Sequence, residues 1–310
     1  MAILFYSLSD SQPDWTSAIA KVMPGEELRI WPNIGAKDDI EFAIVWKPPP
    51  GLLASLPNLK GILSLGAGID HLVSDPELPR HLPLVRLIDP LLTAQMSEYV
   101  VMNVLHHHRL MPDYARQQAE RVWKPLLPPP LAAERRVGVM GLGVLGSDAL
   151  AKLAPFGFQL RGWARGRHDI AGVECFHGEA GLAPFLAGCD ILICLLPLSD
   201  ATRGILNAER LAALPRGASL INAARGGHVI AEDLIAALDS GQLAAATLDV
   251  FVPEPLPPDH PLWTHPRVTV TPHAAGWTIP ESAAGTMAAA IAAIRTGRKP
   301  AGLVDLSVGY

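Results

Sequence analysis

The segment VGVMGLGVLG, residues 137–146, decides the fold of this chain of 310 residues. Its first four residues have the short apolar pattern of a buried strand. Three glycines follow at the spacing G-x-G-x-x-G, and a helical pattern then begins, whose apolar face consists of Leu145, Ala149, Leu150 and Leu153. Between a strand and a helix, such glycines permit a tight turn, let the backbone approach a pyrophosphate and bring the helix against the strand. The segment therefore predicts a dinucleotide-binding unit, with a purely structural glycine turn as the alternative.

Short apolar runs alternate with helical patterns on both sides of this segment. The strand-like runs lie at residues 3–6, 42–46, 61–65 and 84–87, and then at 137–140, 158–163, 191–196, 218–222, 244–250 and 268–271. The alternation predicts an α/β fold of two doubly wound parallel-sheet domains, a flavodoxin-like substrate domain and a Rossmann cofactor domain, with a cleft between them. The cofactor domain, residues 100–280, is expected to be inserted between residues 1–99 and 281–310 of the substrate domain.

Three further stretches predict helices and a connector. Residues 93–123 contain no glycine and predict one long helix or a helix pair kinked near Pro112. The run PLLPPP at 125–130 cannot continue a helix and predicts an extended connector. Residues 281–296 are rich in alanine and predict a last helix with Gly297 as its C-cap.

The composition excludes several classes of protein. Only 18% of the residues are charged and the net charge is -5, so a nucleic-acid binder is not expected. No uncharged apolar run approaches the roughly 18 residues of a membrane-spanning helix, so no membrane span is expected either. The first six residues lack the positively charged region of a signal peptide, which predicts a cytoplasmic protein.

Cysteine and histidine usage gives no sign of a metal site. Cys175, Cys189 and Cys194 include no C-x-x-C pair, and the last two flank a predicted strand, so buried thiols are expected there. Three consecutive histidines, residues 106–108, point in directions about 100° apart on a helix and cannot converge on one ion.

The loop after the second strand of the cofactor domain bears on the choice of cofactor. Units that bind NAD place an acidic residue there for the ribose 2′-hydroxyl. This loop contains Arg165 and Arg167 instead, and no carboxylate precedes Asp169. Guanidinium groups form charge-assisted hydrogen bonds to a 2′-phosphate, which predicts a preference for NADPH, with NADH also usable. An ordinary solvated basic loop is the alternative.

Three polar residues follow later strands of the cofactor domain. Arg225 lies in the segment AARGG, Glu254 in VPEPL and His273 in TPHAA. In an open α/β sheet the carboxyl ends of the strands line the ligand crevice, so the three residues form a candidate site. Taken one at a time, each also fits a strand-end surface charge, a solvated acid in a proline-rich loop or a turn residue.

In the order and context of these three residues, the sequence resembles the D-isomer-specific 2-hydroxyacid dehydrogenases over essentially the whole chain. Within that family it is most similar to the glyoxylate/hydroxypyruvate reductase A group. The similarity rests on Trp46, on GAGID at 66–70, on MSEY at 96–99, on WAR at 163–165 and on the terminal Gly309 and Tyr310.

The resemblance implies NADPH-dependent reduction of small 2-keto acids, with glyoxylate giving glycolate and hydroxypyruvate giving D-glycerate. His273 would supply the proton, Glu254 would orient it, and Arg225 would hold the carboxylate and polarise the keto oxygen. Substrate contacts would come from Trp46, the N–H groups of Ala67 and Gly68, Arg225 and His273. The cofactor would contact Gly141, Gly143, Val144, Leu145, Gly146, Trp163, Arg165, Arg167, Leu195, Pro197, Ala223 and Asp249.

The resemblance also implies a homodimer that pairs through the helix of the histidine run. Trp277 departs from the usual motif and either lines the pocket or packs the hinge between the domains. Two other functions stay open at this point. One is a 2-hydroxyacid dehydrogenase of another acid, and the other is a non-catalytic NAD(P)-sensing binding protein.

Overall fold

The structure, a computed structural model, describes residues 2–8, 12–128 and 130–306. It divides the chain into two units: residues up to Leu92 together with those from Trp277 onward, and Thr93–Gly276. The expected boundaries lay at 99/100 and 280/281. Pro129 of the expected connector and the terminal pair Gly309 and Tyr310 lie outside the described residues.

The described strands and helices alternate along the chain. The strands are β1 Ala2–Ser7, β2 Glu27–Ile30, β3 Ile40–Trp46, β4 Gly61–Ser64, β5 Leu84–Val85, β6 Arg136–Met140, β7 Gln159–Ala164, β8 Val173–His177, β9 Ile191–Cys194, β10 Ala218–Asn222, β11 Leu243–Leu248 and β12 Val268–Val270. The α-helices are α1 Gln12–Val22, α2 Asp70–Val73, α3 Pro90–His108, α4 Met111–Ala119, α5 Val144–Leu153, α6 Gly178–Leu186, α7 Ala208–Ala212, α8 Ala231–Asp239 and α9 Pro280–Arg295.

The first unit contains a parallel sheet in the order β2-β1-β3-β4-β5, which is the flavodoxin-like order. Helices α1 and α9 cover one face, where Trp15 and Ile291 are buried against Phe5 of the sheet. Small residues such as Ala283 and Ala290 let α9 approach closely. The inner strands β1, β3 and β4 are largely apolar on both sides because both faces of the sheet are covered, as in other parallel sheets.

The second unit contains a parallel sheet in the order β12-β11-β10-β9-β6-β7-β8. The order reverses between β6 and β9, which is the arrangement of dinucleotide-binding sheets. Strand register aligns the carboxyl ends of six strands in one row, made of Trp163, Met140, Cys194, Asn222, Leu248 and Val270. The prediction of two doubly wound parallel sheets is therefore confirmed.

Two strands were missing from the sequence-based prediction. Strand β2 lies at one edge of the first sheet and β8 at one edge of the second. Their residues are mostly exposed or half-buried, because an edge strand has fewer neighbours to bury it. The apolar pattern that identifies a buried strand is consequently absent from both.

The helical stretch near the start of the second unit is a helix pair. Helix α3 ends at His108, Leu110 takes a left-handed conformation with φ 58°, and α4 then begins at Met111. Pro112 lies in the first turn of α4, the position where its missing N–H leaves no helical hydrogen bond unmade. Of the two alternatives, the helix pair is the one the chain adopts.

The second unit contains the expected buried thiols. Cys189 and Cys194 are fully buried, and burial raises the pKa of Cys189 to about 12. None of the helices in the described part of the chain is both long and apolar enough to cross a membrane.

Candidate active site

The glycine-rich loop connects β6 to α5, and its three glycines meet three different requirements. Gly141 has φ +101°, and a Cβ there would lie 2.6 Å from the carbonyl oxygen of Leu195. A Cβ at Gly146 would lie 1.8 Å from the carbonyl oxygen of Gly141, so helix and strand meet at this point without room for a side chain. A Cβ at Gly143 would meet nothing within 4 Å. The open side of the loop is therefore at Gly143, directly before the N-terminus of α5, where N–H groups and the helix dipole favour a phosphate.

The loop after β7 carries the two arginines. Trp163, which pairs with Met140 near the end of β7, is buried. Its Nε1–H donates to the carbonyl oxygen of Gly178 at 2.9 Å, so this ring packs within the second unit. Arg165 and Arg167 follow on the exposed part of the loop. Two guanidinium groups thus lie at the end of the strand next to β6, where a dinucleotide unit holds the adenosine ribose.

A buried histidine joins the loops that follow β9 and β10. The Nδ1 atom of His228 lies 3.0 Å from the carbonyl oxygen of Arg225, and its Nε2 atom lies 3.3 Å from that of Pro197. Burial opposes a positive charge on this ring, but Cys194 and the two carbonyl oxygens outweigh it and raise the pKa of His228. His228 therefore ties the backbone of Arg225 to the loop that contains Leu195 and Pro197.

Glu254 and His273 form a hydrogen-bonded pair. Nδ1 of His273 lies 3.0 Å from Oε2 of Glu254, while the other carboxylate oxygen accepts the N–H of Phe251 at 3.0 Å. A carboxylate only accepts hydrogen bonds, so Nδ1 carries a proton. Within the described chain no residue is hydrogen-bonded to Nε2 of His273. This side of the ring can hold a second proton and transfer it to a substrate.

His273 lies in a constrained loop organised by Asp249. The backbone of His273 is left-handed, with φ 54°, and its N–H donates to the carbonyl oxygen of Asp249 at 2.8 Å. The Asp249 side chain is buried and accepts three hydrogen bonds, from the Thr271 hydroxyl at 2.6 Å and from the N–H groups of Ala274 and Ala275 at 2.8 and 3.0 Å. The carboxylate expected to contact the cofactor is thus also the centre of the histidine loop.

The loop of Arg225 touches the loop of Glu254. A Cβ at Gly226 would lie 2.1 Å from the carbonyl carbon of Phe251, whose N–H holds Glu254. Only glycine permits this close approach of two backbones. The structure therefore brings the segment of Arg225 next to the Glu254–His273 pair. Ala223, in the same loop as Arg225, is buried.

The first unit contributes a second group of candidate residues. The Trp46 ring lies over the loop after β4, since a Cβ at Gly66 would be 2.6 Å from it, and the ring packs against His71 with centroids 4.3 Å apart. Ser64 supports the loop by accepting the N–H of Gly66 and donating to the carbonyl oxygen of Gly68. The N–H groups of Ala67 and Gly68 make no hydrogen bond to another described residue, and both residues are half-buried. Two backbone donors therefore lie beside an aromatic ring, which is an arrangement suited to a small carboxylate.

Four further residues bear on the candidate sites, namely Trp277, Thr271, Gly226 and His228. Trp277 is 53% exposed, and its place in the pocket or the hinge stays a prediction. The described residues contain no cluster of His, Cys, Asp and Glu that could hold a metal ion. The roles of Thr271, Gly226 and His228 were not predicted. Of these three, only Gly226 gave a signal in the sequence, because it is the first of two consecutive glycines after Arg225.

Together, the doubly wound sheet, the phosphate loop and the Glu254–His273 pair at its carboxyl edge define a class of protein, the dehydrogenases built on a dinucleotide-binding sheet. Comparison with known proteins narrows this class. A family model described as "D-isomer specific 2-hydroxyacid dehydrogenase, NAD binding domain" matches residues 101–275. The chain belongs to this family, the D-isomer specific 2-hydroxyacid dehydrogenases.

Individual relatives match over the full length. The chain is 44% identical to the glyoxylate/hydroxypyruvate reductase A of Yersinia enterocolitica, covering 100% of both chains. A D-isomer specific 2-hydroxyacid dehydrogenase from Xanthobacter autotrophicus Py2, solved with NADPH and MES, is 46% identical with a TM-score of 0.96, over 100% of this chain and 99% of that one. An NADPH-dependent glyoxylate/hydroxypyruvate reductase from Sinorhizobium meliloti, solved with NADP and sulfate, is 39% identical with a TM-score of 0.92, over 100% of both.

Proposed function

We propose that this chain catalyses the NADPH-dependent reduction of glyoxylate to glycolate and of hydroxypyruvate to D-glycerate. The observation that carries the proposal is the Glu254–His273 hydrogen bond at the carboxyl edge of a dinucleotide-binding sheet. Full-length relatives named as reductases of these two acids support the choice of substrate. The protein as a whole carries a small negative net charge, so an anionic ligand needs local positive groups. The exposed Arg165 and Arg167 in the loop after β7 are such groups.

The residues of the chain account for each requirement of the reaction. Bound NADPH supplies the hydride that reduces the carbonyl carbon. His273 holds a proton at Nε2 for the oxygen that gains negative charge, and Glu254 stabilises the imidazolium through Nδ1. Arg225 holds the substrate carboxylate and polarises the keto oxygen with its planar array of donors. After transfer, the hydride is on carbon, the proton is on oxygen and the histidine is neutral.

The dinucleotide is held by the second unit. Gly141, Gly143 and Gly146 form the phosphate loop with Val144 and Leu145, and the open position at Gly143 fits a close pyrophosphate. Arg165 and Arg167 bind the 2′-phosphate, which makes NADPH the preferred cofactor. Relatives solved with NADPH or NADP agree with this preference. The remaining proposed contacts are Trp163, Leu195, Pro197, Ala223 and Asp249.

The first unit selects a small 2-keto acid. The N–H groups of Ala67 and Gly68 bind the substrate carboxylate, and the Trp46 ring beside them limits the size of the group attached to the keto carbon. Trp46 ends β3, and Ala67 and Gly68 follow β4, so these residues lie at strand ends of the first unit. This supports a substrate domain that is separate from the cofactor domain.

We propose a homodimer because the second unit exposes several large apolar side chains. Helix α3, the start of α4 and the segment after it expose Met102, Met111, Trp123, Leu127 and Leu131, and the Trp123 side chain is 99% exposed. Apolar surface of this extent is typical of association sites. Sedimentation velocity tests the proposal, and a monomer across the micromolar range would contradict it.

The cytoplasmic location stays a prediction from the sequence.

The direct test of the function is the loss of NADPH absorbance when glyoxylate or hydroxypyruvate is added. We expect turnover with both acids, a decline with bulkier 2-keto acids, and a large loss of kcat in His273→Ala with NADPH binding retained. Tight NADPH binding with no turnover across the panel would favour the sensing protein. Turnover confined to a bulkier acid would favour a different dehydrogenase.

A further inference from the structure

Helix α3 presents three polar side chains from one face to the sheet of the second unit. Tyr99, Asn103 and His107 are spaced four residues apart, so they lie on one side of the helix, and all three are buried. The Tyr99 hydroxyl lies 2.7 Å from Oγ1 of Thr271, and Nε2 of His107 lies 2.9 Å from Oγ1 of Thr247. Asn103 donates to the carbonyl oxygen of Tyr99 at 2.9 Å. The helix therefore docks through two separate hydroxyl contacts.

The contact at Tyr99 is the first link of a hydrogen-bond chain with a fixed direction. Thr271 donates its hydroxyl proton to Asp249 at 2.6 Å, because a carboxylate only accepts. The Tyr99 hydroxyl must then be the donor to Thr271. Burial, partly opposed by the hydrogen bond to Thr271, raises the pKa of Tyr99 to about 12, so the phenol keeps its proton around neutral pH. The order of donation is therefore Tyr99 to Thr271 to Asp249.

The series of hydrogen bonds that starts at Tyr99 ends in the loop of His273, the proposed proton donor. Asp249 accepts the N–H groups of Ala274 and Ala275 through its carboxylate, and the N–H of His273 through its backbone carbonyl. These bonds hold His273 at φ 54°, a conformation that non-glycine residues adopt only when their surroundings enforce it. A shift of the Asp249 carboxylate would therefore move the His273 imidazole.

We propose that Tyr99 is a positioning residue of the reaction, which through Thr271 and Asp249 fixes the loop that presents His273. The inference rests on the proposed function for its kinetic consequence, but the hydrogen-bond chain itself is independent of the substrate. Tyr99 touches none of the reacting groups in this scheme. It sets the geometry of the proton donor, so its loss lowers kcat far more than it weakens NADPH binding, to which Asp249 contributes only one of the proposed contacts.

The test uses four single variants and one double variant of the full-length protein. Tyr99→Phe removes only the first donor, and Thr271→Val removes the central hydroxyl at nearly constant volume. Thr271→Ser keeps that hydroxyl and is the conservative control. Thr247→Val breaks the other hydroxyl contact of the same helix face, at His107, and is the matched control for loosened docking of α3.

Loss of one such hydrogen bond is expected to lower kcat about tenfold in Tyr99→Phe and at least as much in Thr271→Val, with a much smaller change in KM for NADPH. Thr271→Ser, which keeps the hydroxyl, retains a kcat close to that of the wild type. Thr247→Val leaves kcat within about twofold of the wild-type value while lowering the unfolding temperature. The double variant Tyr99→Phe, Thr271→Val falls no further than Thr271→Val alone, because both changes break one chain.

Amide hydrogen exchange of the peptide that contains Ala274 and Ala275 gives a readout that needs no substrate. We expect faster exchange in Tyr99→Phe and Thr271→Val, and wild-type exchange in Thr247→Val and Thr271→Ser. Wild-type exchange and kcat in Tyr99→Phe would overturn the inference, as would equal losses in Thr247→Val. A wild-type enzyme that fails to oxidise NADPH with either acid would instead overturn the proposed function, while the exchange data would still decide the role of Tyr99.

Discussion

The three glycines of the phosphate loop respond differently to the same small change, the addition of one methyl group. Gly146→Ala places Cβ 1.8 Å from the carbonyl oxygen of Gly141, whereas Gly143→Ala places it where no atom lies within 4 Å. Gly143 also has φ -76° and ψ -164°, a conformation open to alanine. We expect Gly146→Ala to damage the fold and Gly143→Ala to damage cofactor binding.

The size of each effect follows from these contacts. Overpacking of a well-packed site costs roughly 1–3 kcal/mol, and the clash at Gly146 is against backbone, which cannot rotate away. For a unit of this size, each kcal/mol lowers the unfolding temperature by about 2–4 °C. Gly143 is the N-cap of α5, where replacing a preferred residue such as glycine by alanine costs about 1 kcal/mol or less, so the expected loss of stability is small. Its methyl group would displace the pyrophosphate and weaken charge-assisted bonds worth about 1.5–3 kcal/mol, which raises Kd about ten- to a hundredfold.

Thermal unfolding with and without NADPH measures both effects in one experiment. Without ligand, Gly143→Ala should unfold close to the wild-type temperature and Gly146→Ala several degrees below it. At a concentration about a hundred times the wild-type Kd, NADPH stabilises the wild-type protein by about 2.7 kcal/mol, and a tenfold weaker variant gains about 1.4 kcal/mol. Fluorescence titration of NADPH supplies Kd directly. Wild-type affinity in Gly143→Ala, or wild-type stability in Gly146→Ala, would refute the assignment of this loop.

Other substitutions probe the rest of the site. Glu254→Gln should lower kcat about ten- to a hundredfold, the worth of a hydrogen bond to a charged group, and an unchanged kcat would remove the carboxylate from the mechanism. Replacing Arg165 and Arg167 with alanine should raise KM for NADPH far more than KM for NADH; equal changes would exclude a 2′-phosphate contact. Trp46→Ala should improve kcat/KM for bulky 2-keto acids relative to glyoxylate, and an unchanged ranking across a substrate panel would count against the size limit. His107→Gln should make the free energy of unfolding depend less on pH below about 6.5. Burial lowers the pKa of this histidine to about 3, so wild-type stability falls as the pH drops from 6.5, where unfolded histidine titrates, towards 3; urea unfolding at two pH values checks the slope.

The parts of the fold that local rules govern were predictable. Strands buried on both faces are apolar along their whole length, so the central strands of both sheets were evident from the sequence. The glycine spacing identified the first cofactor strand, and parallel register then placed every later loop at the same edge. The positions of Arg225, Glu254 and His273 after β10, β11 and β12 follow from that rule alone.

The parts that depend on partners distant in sequence were not predictable. Strands β2 and β8 are half-exposed, so their patterns do not differ from those of loops. Tyr99 and Thr271 are 172 residues apart, and nothing local to either one indicates the other. The glycine at 226 is explained only by the backbone of Phe251. Half-exposed edge strands such as β2 and β8, and long-range polar contacts, are decided by tertiary packing, which a single sequence does not display.

The constraint on His273 explains why a carboxylate is buried beside it. A left-handed non-glycine residue costs of order 1–3 kcal/mol, and the loop keeps this conformation only because Asp249 holds its N–H groups from two directions. Burial of an ionised carboxylate is itself unfavourable unless its oxygens are satisfied. Here the three hydrogen bonds from the loop satisfy most of them, and a carboxylate can still accept one more. Asp249 can therefore contact the cofactor as expected and hold the histidine at the same time, so a cofactor bound at Asp249 would meet an imidazole already in position.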